Sequence, residues 1–147
     1  MADRDRYEPY TIKTYAYWRL FLHTDQRYVG RAYAWLLREG EMQDYSELTT
    51  QELLECRQLC RDYRAVLTRL WKPGLMNYAW LGNFIHEHSG HGHLHIVPRY
   101  PRQIECAGVT FVDENWGKNY SPYNKFPLSD EKLFLIRDCL RSALRSV

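Results

Sequence analysis

A chain of 147 residues, 45% hydrophobic and 26% charged, has the composition of one globular domain; at this length roughly 70% of the surface exposed on unfolding can be buried. The formal net charge of +2 comes from Arg and Lys interleaved with Asp and Glu, so the basic stripe of a nucleic-acid binder is missing. No apolar run approaches the ~18 residues that cross a bilayer, and the polar opening residues 1–9 do not read as a secretory signal.

The cysteines Cys56, Cys60, Cys106 and Cys139 lack CxxC spacing and suit a reducing, cytoplasmic compartment. Cys56 and Cys60 lie four apart on a predicted helix, where they read as core packing. The many Tyr, Trp and Phe residues suit a core, a base-binding wall or a subunit interface equally well.

In chain order, residues 17–22 (YWRLFL) are short and aromatic-rich, which predicts a strand. Residues 25–30 carry turn formers, and residues 31–38 (RAYAWLLR) predict a second strand, with a helix as the competing reading. A long helix follows. Thr49 or Thr50 can cap it, and Glu52 falls in its first turn, where the helix dipole favours negative charge. Leu53, Cys56, Cys60, Tyr63, Leu67 and Leu70 recur at steps of three and four and form its expected buried face. Lys72-Pro73-Gly74 stops the helix.

Residues 78–83 predict a further strand, with the histidine-rich stretch forming the next. Pro98, Pro101, Pro122 and Pro127 mark a mostly irregular segment, interrupted by a short strand at 109–112. A last helix begins at the cap Ser129, with Leu133, Ile136, Leu140 and Leu144 as its apolar stripe. The pattern predicts an α+β domain over residues 1–147: an antiparallel sheet against which the long helix and the C-terminal helix pack.

Five of the six histidines fall within ten residues: His86, His88, His91, His93 and His95. Alternation on a strand puts His91, His93 and His95 on one face and turns Leu94 and Ile96 into the core, with Pro98 ending the run. Such a row is costly as inert surface, because each ring displaces good strand packing or needs a hydrogen-bond partner. Two chemistries use it. Imidazole ligates zinc, copper or nickel, and a neutral imidazole attacks phosphorus. A metal site would draw on His88 or Glu87 as well, but no downstream carboxylate or cysteine pattern completes a tetrahedron.

His91-Gly-His-Leu-His-Ile-Val97, followed by Pro98-Arg99-Tyr100, resembles the histidine-triad motif, in which three histidines alternate with apolar residues. The resemblance is to the bacterial and fragile-histidine-triad branches. It extends to the turn at 25–31, the helix start at 46–49, the strand at 77–83 and the segment Trp116-Gly-Lys-Asn-Tyr120, and so covers roughly residues 15 to 145.

That resemblance implies a homodimer that hydrolyses or transfers nucleotides from dinucleoside polyphosphates, nucleoside phosphoramidates or related esters. His93 would be the nucleophile, His95 would contact the phosphate or leaving group, and His91 would orient His93, partly through its carbonyl. Backbone donors around Ser89 and Gly90, with Asn83, would hold phosphate oxygens. Asp25 or His23 would hold the ribose, and Tyr17, Trp18 or Tyr28 would wall the base. It implies no required cofactor, with a divalent metal entering only alongside a polyphosphate. Neither a membrane nor nucleic acid is an implied partner.

Two departures stand out. Gly92 replaces a larger apolar residue, and the second strand offers Arg31 and Arg38 where many relatives carry another histidine. These departures leave open a non-catalytic nucleotide-binding protein and a histidine-based metal-binding protein. His86 and Glu87 read as solvated loop residues.

Overall fold

The computed structural model describes residues 6–40, 44–84, 91–121 and 125–147. Five strands form one antiparallel sheet: β1 (Thr11–Thr14), β2 (Trp18–Leu22), β3 (Ala32–Leu36), β4 (Leu75–Trp80) and β5 (His93–Arg99), in the order β1-β2-β3-β5-β4. β6 (Ile104–Cys106) and β7 (Val109–Phe111) make a separate hairpin. Its turn residues Ala107 and Gly108 both have positive φ, as a tight turn matching the strand twist requires. Two helices, α1 (Thr50–Leu70) and α2 (Asp130–Leu144), complete an α+β domain.

Alternation divides the sheet into two faces. Trp18, Leu20, Leu22, Ala32, Ala34, Leu36 and Ile96 share one core with the helix residues Leu59, Tyr63, Val66, Leu67, Leu133, Ile136, Leu140 and Leu144. Phe21, Tyr33 and Trp35 form a second cluster on the opposite face, with Tyr7 packed against it. β3 is therefore a strand buried on both sides. This explains why its sequence shows no polar alternation and left a helix open.

The α1 cap is Thr49, whose hydroxyl accepts from the Glu52 backbone while the Glu52 carboxylate accepts from the Thr49 N–H. The expected buried face needs correction: Leu53 is exposed, while Glu52, Leu59 and Val66 are buried. Glu52 tolerates burial because Arg38 donates to its two carboxylate oxygens at 2.6 and 3.1 Å. The Trp18 indole donates to its carbonyl at 2.9 Å. The face thus starts at Glu52 rather than at Leu53.

Three expectations from the sequence shift. β1 was not foreseen. The strand expected at 78–83 lies at Leu75–Trp80, and Gly82–Phe84 forms a 3-10 turn. Pro98 does not end its strand but sits inside β5, opposite Met76. Gly92 accepts on the β3 side and Arg99 on the β4 side, so the nitrogen of Pro98 faces the β3 side. β3 has already ended there, its last partner being Ile96, so no ladder donor is lost.

Candidate active site

β5 sits between β3 and β4, so its side chains project from the middle of the sheet rather than from an edge. His91, His93 and His95 face away from the helices and are all buried, with exposures of 8%, 3% and 9%. Trp35 packs against two of these rings: its ring stacks on His93 at 6.0 Å and lies 5.4 Å from His91. Tyr33 sits 6.1 Å from His93 and 6.5 Å from His95, and the His93 and His95 rings are 4.8 Å apart. The aromatic floor limits how far the imidazoles can turn.

Backbone carbonyls set the ring orientations. The Nδ1 of His91 lies 3.1 Å from the Leu36 carbonyl, and the Nδ1 of His93 lies 3.3 Å from the His91 carbonyl. A carbonyl only accepts, so each Nδ1 is the protonated nitrogen of these contacts. In a neutral ring that places the lone pair on Nε2.

A cavity of about 790 Å³ opens beside the row. His93 and His95 line it together with His23, Asp25, Asn83 and Arg31. His91 is outside the lining. Ser89 and Gly90, with His86, Glu87 and His88, lie outside the described residues.

The loop between β2 and β3 carries His23, Asp25 and Arg31, and three buried side chains hold it. Gln26, wholly buried, donates to the carbonyls of His23 and Arg31 and accepts from Gly30 N–H. The hydroxyls of Tyr63 and Tyr100 donate to the carbonyls of Gly30 and Val29, each at 2.6 Å. Gly30 has φ +90°, and a Cβ there would stand 2.7 Å from Leu67 Cδ2. The loop is therefore fixed by packing below it, independent of any ligand.

The expected base walls need correction. Tyr17 is exposed, its N–H donating to Glu55 at 2.6 Å. Trp18 faces the helix core. Tyr28 is buried, its hydroxyl accepting from Ser121 and Asn115. None of the three lines the cavity. Among the described residues its aromatic lining is Tyr10, Tyr120 and Phe126. Tyr120 was legible only as part of the 116–120 segment, and nothing in the sequence marked Tyr10, Lys125 or Phe126.

Among the described residues no group of three or more His, Cys, Asp or Glu side chains is disposed to hold a metal ion. No helix among them is long and apolar enough to cross a membrane.

No family model matches the sequence, and comparison with curated proteins gives no match. Solved structures do match. A histidine triad protein from Sinorhizobium meliloti superposes with a TM-score of 0.71 at 18% identity, covering 95% of this chain and 93% of that one. A histidine triad protein from Marinobacter aquaeolei gives 0.66 at 18% identity, with 97% and 94% covered. The diadenosine triphosphate hydrolase of Plasmodium falciparum, solved with cyclomarin A, gives 0.65 at 16% identity, with 95% and 78% covered. The chain has the histidine-triad fold.

Proposed function

We propose that the chain, over residues 1–147 as one histidine-triad domain, is a nucleotide hydrolase or transferase acting through a covalent nucleotidyl-histidine. The observation that carries this reading is His93. Its ring sits in the cavity wall, and Nδ1 against the His91 carbonyl makes Nε2 the ring's nucleophilic nitrogen.

In the first step Nε2 of His93 attacks the α-phosphorus. The P–N bond to the ring forms, the bond from phosphorus to the leaving group breaks, and a proton passes to the departing atom from His95. In the second step water attacks the same phosphorus, the P–N bond breaks, and a nucleoside 5′-monophosphate and a neutral His93 are regenerated. The proton of the attacking water restores His95. His91 acts as a positioning residue through its carbonyl. Asn83 supports a phosphate oxygen from the β4 end of the cavity, and backbone donors at Ser89 and Gly90 are assigned the same task. His23 and Asp25 face the sugar. The chemistry is carried by protein groups, and a divalent ion enters only with a polyphosphate substrate.

The test is a panel of adenine and guanine phosphoramidates and dinucleoside polyphosphates assayed with the wild type and His93→Ala. Hydrolysis is expected to fall by several orders of magnitude with the fold retained, and rapid quench of the wild type should trap a histidine adduct. Equal turnover by both proteins would refute the assignment. Nucleotide binding without turnover by either would instead identify a non-catalytic binding protein.

We also propose a homodimer joined along β4, the strand at the edge of the sheet. Its Leu75 and Tyr78 are 55% and 44% exposed, an apolar edge that an isolated chain would leave unpaired.

A further inference from the structure

Beyond the histidines, the same cavity has a wall where two cations, Arg31 and Lys125, stand beside the carboxylates of Asp25 and Asp130. Arg31 precedes β3, whose Tyr33 pairs with His95 and whose Trp35 pairs with His93. By alternation Arg31 stands on the histidine face, one pleat repeat or about 7 Å beyond Tyr33. Its side chain is only 5% exposed, yet it lines the cavity, with its guanidinium carbon 5.9 Å from the Tyr120 ring centre. Lys125 adds a second cation to the lining.

The carboxylates nearby already accept hydrogen bonds from protein donors. Asp25 Oδ2 accepts from Arg31 Nη1 at 3.2 Å, and Oδ1 accepts from the backbone N–H groups of Arg27 and Phe126 at 3.2 and 3.0 Å. Asp130 Oδ1 accepts from the Tyr10 hydroxyl at 3.1 Å. By contrast, Arg31 Nε is buried with no hydrogen-bond partner. A buried guanidinium with an unused donor is costly until an anion meets it, and its planar fork suits phosphate. Desolvation also lowers the Arg31 pKa, with Asp25 opposing the shift.

Resting on the nucleotide chemistry proposed above, we infer that this wall holds a second phosphate carried on the ribose of the substrate. The proposed function puts the sugar at His23 and Asp25, and Asp25 is bonded to Arg31, so the sugar's hydroxyls fall beside that arginine. A plain ribose presents hydroxyl donors and calls for a carboxylate acceptor, but both oxygens of Asp25 already accept from protein donors, one of them from Arg31 itself. An arginine beside a ribose instead suits a phosphorylated hydroxyl. The substrate class is then a nucleoside 5′-phosphate ester or amidate that also bears a 2′- or 3′-phosphate.

Calorimetric titration of the non-turning-over His93→Ala protein tests this. The ligands are the 5′-monophosphates, 2′,5′-bisphosphates and 3′,5′-bisphosphates of adenosine and guanosine. One bisphosphate isomer should bind at least tenfold more tightly than its monophosphate, and the preferred isomer identifies the hydroxyl. In an Arg31→Gln background the ratio should fall toward one while monophosphate affinity is kept. Lys125→Ala, a change at an exposed side chain, should lower the ratio in part and serves if Arg31→Gln does not fold. Equal affinities for mono- and bisphosphates would overturn the inference and leave the nucleotide reading standing, as would a preference untouched by both substitutions. Failure of every nucleotide to bind would remove both.

Discussion

The carbonyl oxygen of His91 lies 3.3 Å from Nδ1 of His93, so one member of the row orients the next through the backbone rather than through its ring. The ring of His91 is used elsewhere, against the Leu36 carbonyl at 3.1 Å. Removing that ring should therefore leave the orienting carbonyl in place. His91→Ala is expected to lower kcat by about tenfold, equivalent to ~1.4 kcal/mol, far less than the loss at His93. A loss as large as that of His93→Ala in the same hydrolysis assay would mean that the His91 ring itself takes part.

Gly30→Ala should be strongly destabilising. Its φ of +90° disfavours any side chain, and the added Cβ would meet the buried Leu67 at 2.7 Å and Trp71 at 3.2 Å. Both neighbours belong to the core and have little room to move. The expected loss is about 2–4 kcal/mol by urea unfolding, combining left-handed strain with overpacking. A change below ~0.5 kcal/mol would show that the loop relaxes freely.

Tyr63→Phe leaves the Gly30 carbonyl buried without its donor, since the hydroxyl reaches it at 2.6 Å. The cost should be about 1–3 kcal/mol, measured as a shift of the urea midpoint at unchanged slope. An unchanged midpoint would show that Gln26 and Tyr100 hold the loop alone.

Acid should weaken the α1 start. The hydrogen bonds from Arg38, together with those at Thr49, hold the Glu52 carboxyl below its ordinary value despite burial. The unfolded chain therefore binds the proton more readily. The stabilisation is complete above the ordinary glutamate range of about 4.3 and is lost as pH falls through the lower folded value. Glu52→Gln should flatten this part of the stability profile. Parallel wild-type and Glu52→Gln curves between about pH 5 and pH 2 would contradict the assignment.

If β4 is the dimer edge, Tyr78→Lys should yield monomers by light scattering at micromolar concentration with unchanged circular dichroism. A wild-type monomer under the same conditions would rule the dimer out.

Much of this protein could be read from local chemistry. The stop at Lys72-Pro73-Gly74 and the stripe Leu133, Ile136, Leu140 and Leu144 depend on residues within a few positions of each other, and all four stripe residues are buried. The caps Thr49 and Ser129 work for the same reason, each accepting from a backbone N–H three residues on. The alternation of His91, His93 and His95 likewise needs only the period of a strand.

Burial of Glu52 in place of Leu53 could not be read in this way. It depends on Arg38 and Trp18, which are brought to the helix start by the fold. Nor could the cavity walls be read. Arg31 shares a cavity with His95 only because β3 pairs with β5, and Phe126 reaches Asp25 across 101 residues of sequence. Periodicity determines which way a side chain points from its own element, so the histidine row was settled by sequence alone. What stands opposite that row depends on contacts between distant segments, which only the packed chain decides.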